Sequence, residues 1–213
     1  MKHLVLTAAA LLVGCSSNPP PPDWQMNAKA ASERSVAAYL TGNTRIDTAE
    51  LARARAEVAR TGRADLLARV ELTHCAAQVA SLVFGACAGF EALRADAPAP
   101  ERAYADYLAG RVAAADMALL PEAHRGVAAN PAALGGMADP LARLIAAGVL
   151  LESHRADPQT ILTAIDTASA QGWRRPLLAW LSVQLKRAES AGANDEAQQL
   201  RRRITLVERG ATP

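Results

Sequence analysis

Few side chains in this chain have the type and spacing needed to bind a metal or to catalyse a reaction. Glu71 and His74 lie three residues apart, so a helix would place both on one face, where they could bind one metal ion. No third His or Asp lies nearby, and a solvated helix face explains the pair better. His124 and His154 are isolated, and the zinc-protease, serine-hydrolase, CxxC, P-loop and Rossmann patterns are absent from the sequence. We therefore predict no metal site and no cofactor bound by these side chains.

One segment holds a carboxylate in a context known from enzymes. The stretch from Leu144 through Glu152 to Asp157-Pro158 resembles the segment around the catalytic glutamate of soluble lytic transglycosylases, all-α periplasmic enzymes that cleave peptidoglycan. The resemblance implies that Glu152 is a general acid that protonates the glycosidic oxygen. That family continues with a Gly-Leu-Met-Gln block, which is missing here because Gln-Thr-Ile-Leu stands at 159–162. We therefore predict a non-catalytic protein with Glu152 as a solvated residue at a helix end, and keep the cell-wall glycosidase as the alternative.

The amino terminus has the pattern of a secretory signal. Met1-Lys2-His3 is a short positive region, and an apolar run from Leu4 to Val13 follows it. A helix that spans a bilayer needs about 20 apolar residues, so this run is too short to be one. The residues Leu12-Val13-Gly14-Cys15 that follow resemble the lipobox of bacterial lipoproteins.

The lipobox resemblance implies that the signal peptide, residues 1–14, is removed and that Cys15 carries a covalent lipid. This lipid is the only non-protein group expected, and its acyl chains would hold the protein on a membrane. In lipoproteins an Asp after the cysteine favours the inner membrane; Ser16 stands there in this chain, which implies the outer membrane with the protein facing the periplasm. Exposure on the cell surface stays open, as does an ordinary secretory signal in which Cys15 is incidental.

The two other cysteines predict a disulfide. Cys75 and Cys87 form an even pair, and the periplasm is oxidising. An unbroken helix would separate them by about 18 Å along its axis, whereas a disulfide needs Cα atoms within roughly 7 Å. The bond therefore requires the helix to stop near Phe84-Gly85 and the chain to double back. Two buried free thiols are the alternative.

The composition is that of a globular protein with a small net charge and therefore no strong electrostatic field. Hydrophobic residues make up 51% of the chain and charged residues 21%. The formal net charge is +2, and removal of residues 1–14 takes Lys2 with it. Such a small charge does not attract nucleic acid, so we predict no nucleic-acid partner.

Prolines and glycines divide the rest of the chain. Residues 15–22 comprise Cys15 and a proline-rich tether, and residues 23–213 are predicted to form a single all-helical periplasmic domain, because no segment alternates like a strand. Asp23 and Asp47 are expected as helix N-caps, Asp47 with Glu50 in a capping box. The predicted helices are 24–41, 48–60, 64–83, 101–117, 140–153, 158–172, 176–191 and 194–208, with a short helix or two in the loop 120–139.

The last two predicted helices carry a second resemblance. Leu178-Ala179-Trp180-Leu181, Ala188-Glu189-Ser190-Ala191-Gly192 and Glu196-Ala197 with Leu200 are similar to a tetratricopeptide repeat, a 34-residue helix pair that stacks into a peptide-binding groove. The match covers only residues 177–207, without a tandem period, so an ordinary helical hairpin is the alternative. The resemblance implies an all-α fold of helical hairpins in a tetratricopeptide-like, right-handed superhelical array.

One cluster stands out as a candidate for binding a partner. Trp173, Arg174 and Arg175 stand at the turn before Pro176, where the arginines could bind a carboxylate or phosphate; packing of Trp173 beside Trp180 is the alternative. The function predicted from the sequence is a lipid-anchored, non-catalytic scaffold or adaptor that binds an envelope protein by groove recognition. A structural lipoprotein without a discrete partner is a third reading.

Overall fold

The computed structural model describes residues 20–210, and within that range the chain is helical without a strand. The α-helices are α1 (Asp23–Thr41), α2 (Thr44–Ala59), α3 (Ala64–Ala80), α4 (Ala88–Glu91), α5 (Ala99–Leu108), α6 (Glu122–Ala129), α7 (Pro140–Glu152), α8 (Pro158–Ala170), α9 (Arg174–Ser190) and α10 (Asn194–Arg209). Two 3-10 helices, Ala114–Leu119 and Pro131–Gly136, flank α6. The prediction of an all-α fold is confirmed.

The predicted signal peptide (residues 1–14), Cys15 and the first part of the tether lie outside the described residues. Pro20, Pro21 and Pro22 are exposed and lead directly into α1. No helix between residues 20 and 210 is long and apolar enough to span a membrane.

Local sequence signals set most of the helix ends. Gly42 adopts a left-handed conformation with φ of +88° and ends α1, and the side chain of Asn43 then accepts a hydrogen bond from the Ile46 N–H to begin α2. Asp139 and Asp157 cap α7 and α8 in the same way, each directly before a proline in the first turn. The predicted bounds of α7 to α10 agree with the structure to within two residues.

Both predicted aspartate caps are wrong. Asp23 is the first residue of α1 and follows the N-cap Pro22. Asp47 lies inside α2, because Asn43 already caps that helix one turn earlier, and its buried carboxylate accepts a hydrogen bond from the Ser35 hydroxyl at 2.8 Å. The side chain of Asp47 therefore joins α2 to α1 and does not begin a helix.

Two predicted helices end earlier than expected. Helix α3 stops at Ala80 rather than Val83; the buried indole of Trp180 donates a hydrogen bond to the Ala80 carbonyl at 3.1 Å, and Leu82 turns the chain with φ of +60°. The helix expected over 101–117 ends at Leu108, because Gly110 reverses the chain with φ of +70°.

The main core is built around α3 and α7. The two helices approach closely at Gly148, where an added Cβ would overlap the carbonyl oxygen of Val79. Helices α8, α9 and α10 continue from α7 as successive packed pairs, and α5 and α6 also contact this centre. The largest fully buried side chains, Trp180, Tyr107 and Phe90, come from α9, α5 and α4. One apolar core therefore extends from α3 to α10.

Helices α1 and α2 form a hairpin with a smaller core of its own. The hairpin packs on α3 and also contacts α9, where the Arg175 guanidinium donates to the Tyr39 carbonyl at 2.8 Å and lies 4.3 Å from the centre of its ring. Repeats in a solenoid contact mainly their neighbours in the chain, whereas α1 and α9 are far apart in sequence. Hairpin packing is observed, and the tetratricopeptide-like array stays a prediction.

The cysteine pairing is confirmed. Cys75 and Cys87 lie in disulfide geometry with their Cα atoms 5.8 Å apart. The chain doubles back as the pairing required, although the helix ends at Ala80, before the expected Phe84-Gly85. The bond ties α3 to the segment that leads into α4.

Candidate functional site

A groove of about 870 Å³ lies between α1 and α3. We call it the α1–α3 groove. Its floor is formed by the buried side chains of Val36, Leu40, Val58 and Val70. Half-buried Trp24 stands at the start of α1, and Trp173 and Leu141 pack at the Leu40 end. The remaining lining residues are Gln25, Ala28, Lys29, Ser32, Glu33, Ala37, Arg63, Leu66, Arg69 and Thr73.

One wall of the groove follows from the sequence of α1. Trp24, Ala28, Val36 and Leu40 recur at multiples of four residues, a row that winds slowly around α1, and all four side chains line the groove. Ala37 lies beside them and is exposed. At 1.5 Å per residue, the wall from Trp24 to Leu40 is about 24 Å long. The groove is therefore long enough to hold several turns of a helix.

A second, smaller groove of about 520 Å³ lies between α3 and α5, and we call it the α3–α5 groove. It shares Arg69 and Thr73 with the α1–α3 groove, so these two residues form a common edge. The rest of its lining is Leu72, Pro100, Glu101, Tyr104, Leu119, Leu120, Pro121 and Arg125. The two grooves are thus adjacent surfaces on either side of the exposed end of Arg69.

An ion pair stands at this common edge. The Nε of Arg69 donates to Oε1 of Glu101 at 2.5 Å, and the Arg69 side chain is 61% exposed against 8% for that of Glu101. The terminal nitrogens of Arg69 have no hydrogen-bond partner among the described residues, and neither has the buried Oε2 of Glu101. Arg69 therefore retains donors that face the solvent between the two grooves.

The three residues predicted as a partner-binding group are separated by the fold. Trp173 lines the α1–α3 groove and packs against Val36 and Leu40. The guanidinium of Arg174 lies against Gly42, and that of Arg175 binds Tyr39 together with the Thr44 hydroxyl at 3.0 Å. Both arginines thus contact the α1–α2 hairpin of the same molecule.

Glu71 and His74 do not form the solvated face expected from their spacing. The Glu71 carboxylate is buried and accepts two hydrogen bonds from Arg55, at 2.6 and 2.7 Å. His74 Nε2 lies 3.0 Å from Oδ1 of Asp47, the same oxygen to which Ser35 donates. The serine donates to the carboxylate and not to the imidazole, so the three residues lack the order of a catalytic triad. Between residues 20 and 210, no group of three or more His, Cys, Asp or Glu side chains could hold a metal ion.

His124 is buried in an aromatic cluster that the sequence analysis missed. Its ring packs against Tyr104 and Tyr107, and Nδ1 lies 3.3 Å from the Tyr107 hydroxyl. Desolvation lowers the pKa of His124 to about 4, so the imidazole is neutral at pH 7. In the sequence, the spacing of Tyr104 and Tyr107 on one helix face could have indicated an aromatic cluster. Only the tertiary fold brings His124 next to this pair. His124 and Tyr107 are buried, whereas Tyr104 also lines the α3–α5 groove.

Glu152, the alternative general acid, is the last residue of α7 and is half-buried. Its side chain lies beside the turn at Gly110, and it lines neither of the two grooves. The helix-end position expected from the sequence is therefore observed, whereas catalysis by Glu152 stays a hypothesis.

Comparison with protein-family models, with curated proteins and with solved structures gave no match for this chain. The candidate site therefore rests on geometry. Among the groove residues only Trp173 was predicted from the sequence as a candidate, although the four-residue spacing of apolar residues on α1 could have indicated an apolar face. What the spacing did not reveal is that α3 stands far enough away to leave that face open.

Proposed function

We propose that this protein is a lipid-anchored, non-catalytic adaptor of the bacterial cell envelope that binds a segment of a partner protein in the α1–α3 groove. The observation that carries the proposal is the groove, a concave surface of about 870 Å³ with an apolar floor and charged residues along its edges. Such grooves bind the apolar face of an amphipathic segment. Contiguous apolar surface on a protein is a mark of an interaction site.

The lipid anchor is the second part of the proposal, and it rests on the lipobox-like residues Leu12 to Cys15. The tether ends at Pro22, and Trp24 in the first turn of α1 already lines the groove. Residues 15–22 would extend roughly 25 Å as polyproline II. A partner bound in the groove would therefore be held within a short distance of the membrane.

The proposal is tested by photo-crosslinking in living cells. A photoreactive amino acid replaces Ala37, which is exposed and lines the groove, and in a matched strain it replaces Ala52, which is exposed on α2 away from the groove. Both substitutions are at exposed helical alanines, so neither should disturb folding. We expect one or two reproducible envelope proteins to be crosslinked from Ala37 and not from Ala52, as identified by mass spectrometry. Equal crosslinking from both positions, or none from Ala37, would contradict the proposal.

The glycosidase alternative makes a different prediction for Glu152. An enzyme that uses Glu152 as general acid releases soluble fragments from purified peptidoglycan, and Glu152→Gln abolishes the release. The adaptor proposal predicts no fragments from the parent protein or from the variant. Chromatography of the soluble products distinguishes the two, and cleavage by the parent that is lost in Glu152→Gln would replace our proposal with the alternative.

A further inference from the structure

The charges that line the two grooves are predominantly positive. Lys29, Arg63, Arg69 and Arg125 line them, against two acids, Glu33 and Glu101. The Glu101 carboxylate is buried beneath Arg69 and already paired with it, so it presents little negative charge at the surface. The edges of the α1–α3 groove therefore present the exposed cationic ends of Lys29, Arg63 and Arg69, each beside the acid that it binds.

The cations at the edges are exposed and only partly engaged. The Arg69 side chain is 61% exposed and uses only its Nε, and Arg63, 56% exposed, binds Asp65 at 2.7 Å. Lys29 is 77% exposed and lies 3.8 Å from Glu33, a loose pair on the surface. A loose exposed pair such as Lys29–Glu33 contributes little, about 0 to 1 kcal/mol, so Lys29 can exchange partners readily. Arg69 keeps its bond to Glu101 and offers its terminal nitrogens to a new partner.

The shape of the groove favours a helix over an extended chain. Its walls are side chains of α1 and α3, whose backbone groups are already bonded within the helices. An extended segment would find no partners there for its own N–H and C=O groups, whereas a helix satisfies them internally. The length of about 24 Å corresponds to roughly 16 helical residues.

We infer that the α1–α3 groove binds an amphipathic helix of a partner protein whose apolar face is flanked by acidic residues, with Arg69 as the main cation that binds those acids. This inference rests on the proposed function and names the chemistry of the partner. Charge complementarity sets the occupant apart from the apolar Leu4–Val13 segment of this same chain, which contains no acid.

The test uses two fluorescein-labelled synthetic helices of 16 residues with identical apolar faces, one flanked by Glu and the other by Lys. The protein is used as its host processes it and is held in lipid nanodiscs. The affinity of each helix for it is measured by fluorescence anisotropy at low ionic strength. We expect the Glu helix to bind at least about fivefold more tightly, as two or three exposed ion pairs would give. We expect 0.5 M salt to remove most of the difference.

Three variants locate the effect. Arg69→Gln and Arg63→Gln should each reduce the preference for the Glu helix by about twofold or more. Arg63→Gln is included because it leaves the exposed Asp65 unpaired, whereas Arg69→Gln leaves the buried Glu101 unpaired. Arg202→Gln, at an exposed arginine of α10, should leave it unchanged. Ala37→Trp should weaken binding of both helices, because it fills the groove.

Equal affinity for the two helices, preference for the Lys helix, or binding that Ala37→Trp does not affect would each overturn the inference. Binding of neither helix would overturn it too. Failure of the charge preference is separable from failure of the proposed function. A partner crosslinked from Ala37 in cells would uphold the adaptor role even if the partner helix proved not to be acidic.

Discussion

At the scale of single residues, several buried polar side chains between residues 20 and 210 bind other parts of the fold. The Asp47 carboxylate accepts a hydrogen bond from Ser35 and lies beside His74. Arg55 donates to Glu71, and Trp180 donates to the last carbonyl of α3. Buried polar groups must be paired because an unpaired one costs about 1 to 3 kcal/mol. This pairing explains why residue types that suggested a metal ligand or a helix cap turned out to join helices. Arg69 differs, since its free donors point outward between two grooves.

His124 makes stability depend on pH. Its pKa is about 4 in the folded protein, against an ordinary value of 6.5, because burial disfavours the charged form. Between these values the unfolded chain binds more protons, so the free energy of unfolding falls as pH falls. The contribution of His124 is about 2 kcal/mol between pH 7 and pH 5. His124→Phe, which is never charged, should lose that much less stability over this interval, as measured by urea unfolding at the two pH values.

The control for this prediction is His154→Asn. His154 is exposed and adopts φ of +57°, a conformation that Asn tolerates. We expect the control to show the pH dependence of the parent. If His124→Phe loses as much stability as the parent between pH 7 and pH 5, burial of a neutral imidazole is not the cause.

At the scale of elements, the sequence predicted several helix ends that are local events, although it missed the ends set by Asn43 and Gly110. Gly42, Pro140 and Pro158 marked ends and starts correctly, because left-handed glycine and first-turn proline act within a few residues. The error at Asp47 has a local cause, because Asn43 caps α2 one turn earlier, which leaves Asp47 to bind Ser35. The error at Val83 has a tertiary cause, because Trp180, about a hundred residues away, binds the end of α3. The groove was missed for the same reason, since only packing decides whether the apolar face of α1 is covered.

Two glycines within α-helices should respond in opposite directions to alanine. Gly148 of α7 lies against the Val79 carbonyl, so Gly148→Ala should destabilise the protein by about 1 to 3 kcal/mol despite the better helix propensity. Gly126 of α6 is exposed with open space around its Cβ position, so Gly126→Ala should stabilise by up to about 1 kcal/mol. Urea unfolding of both variants checks the pair. Stabilisation by Gly148→Ala would show that α3 and α7 are not in such close contact.

At the scale of the whole molecule, the contacts join the first helix, α1, to α9, which lies far along the chain. Arg175 at the start of α9 holds Tyr39 of α1, and Trp173 beside it forms part of the α1–α3 groove. The groove therefore depends on residues more than a hundred positions apart, and its shape requires the complete fold. The same arrangement places the groove at the end of the tether, because α1 is both its wall and the first element after Pro22. Under the proposed function, partner binding and membrane attachment would therefore be coupled through α1.

The proposed anchor predicts where the protein is found when Cys15 is changed. An acyl chain contributes about 0.8 kcal/mol per buried methylene, and two chains already suffice for stable attachment, so the parent should stay with the membranes after a high-salt wash. Cys15→Ala removes the acceptor of the lipid and should move the protein to the soluble periplasm; Ser16→Ala, which keeps Cys15, should not.

Membrane fractionation and incorporation of an alkyne-labelled fatty acid measure the two effects. Because Cys75 and Cys87 are joined to each other, the fatty acid label reports on Cys15. Retention of Cys15→Ala on the membrane would mean that something other than a lipid on Cys15 holds the protein there, and the groove would then need no tether to reach its partner.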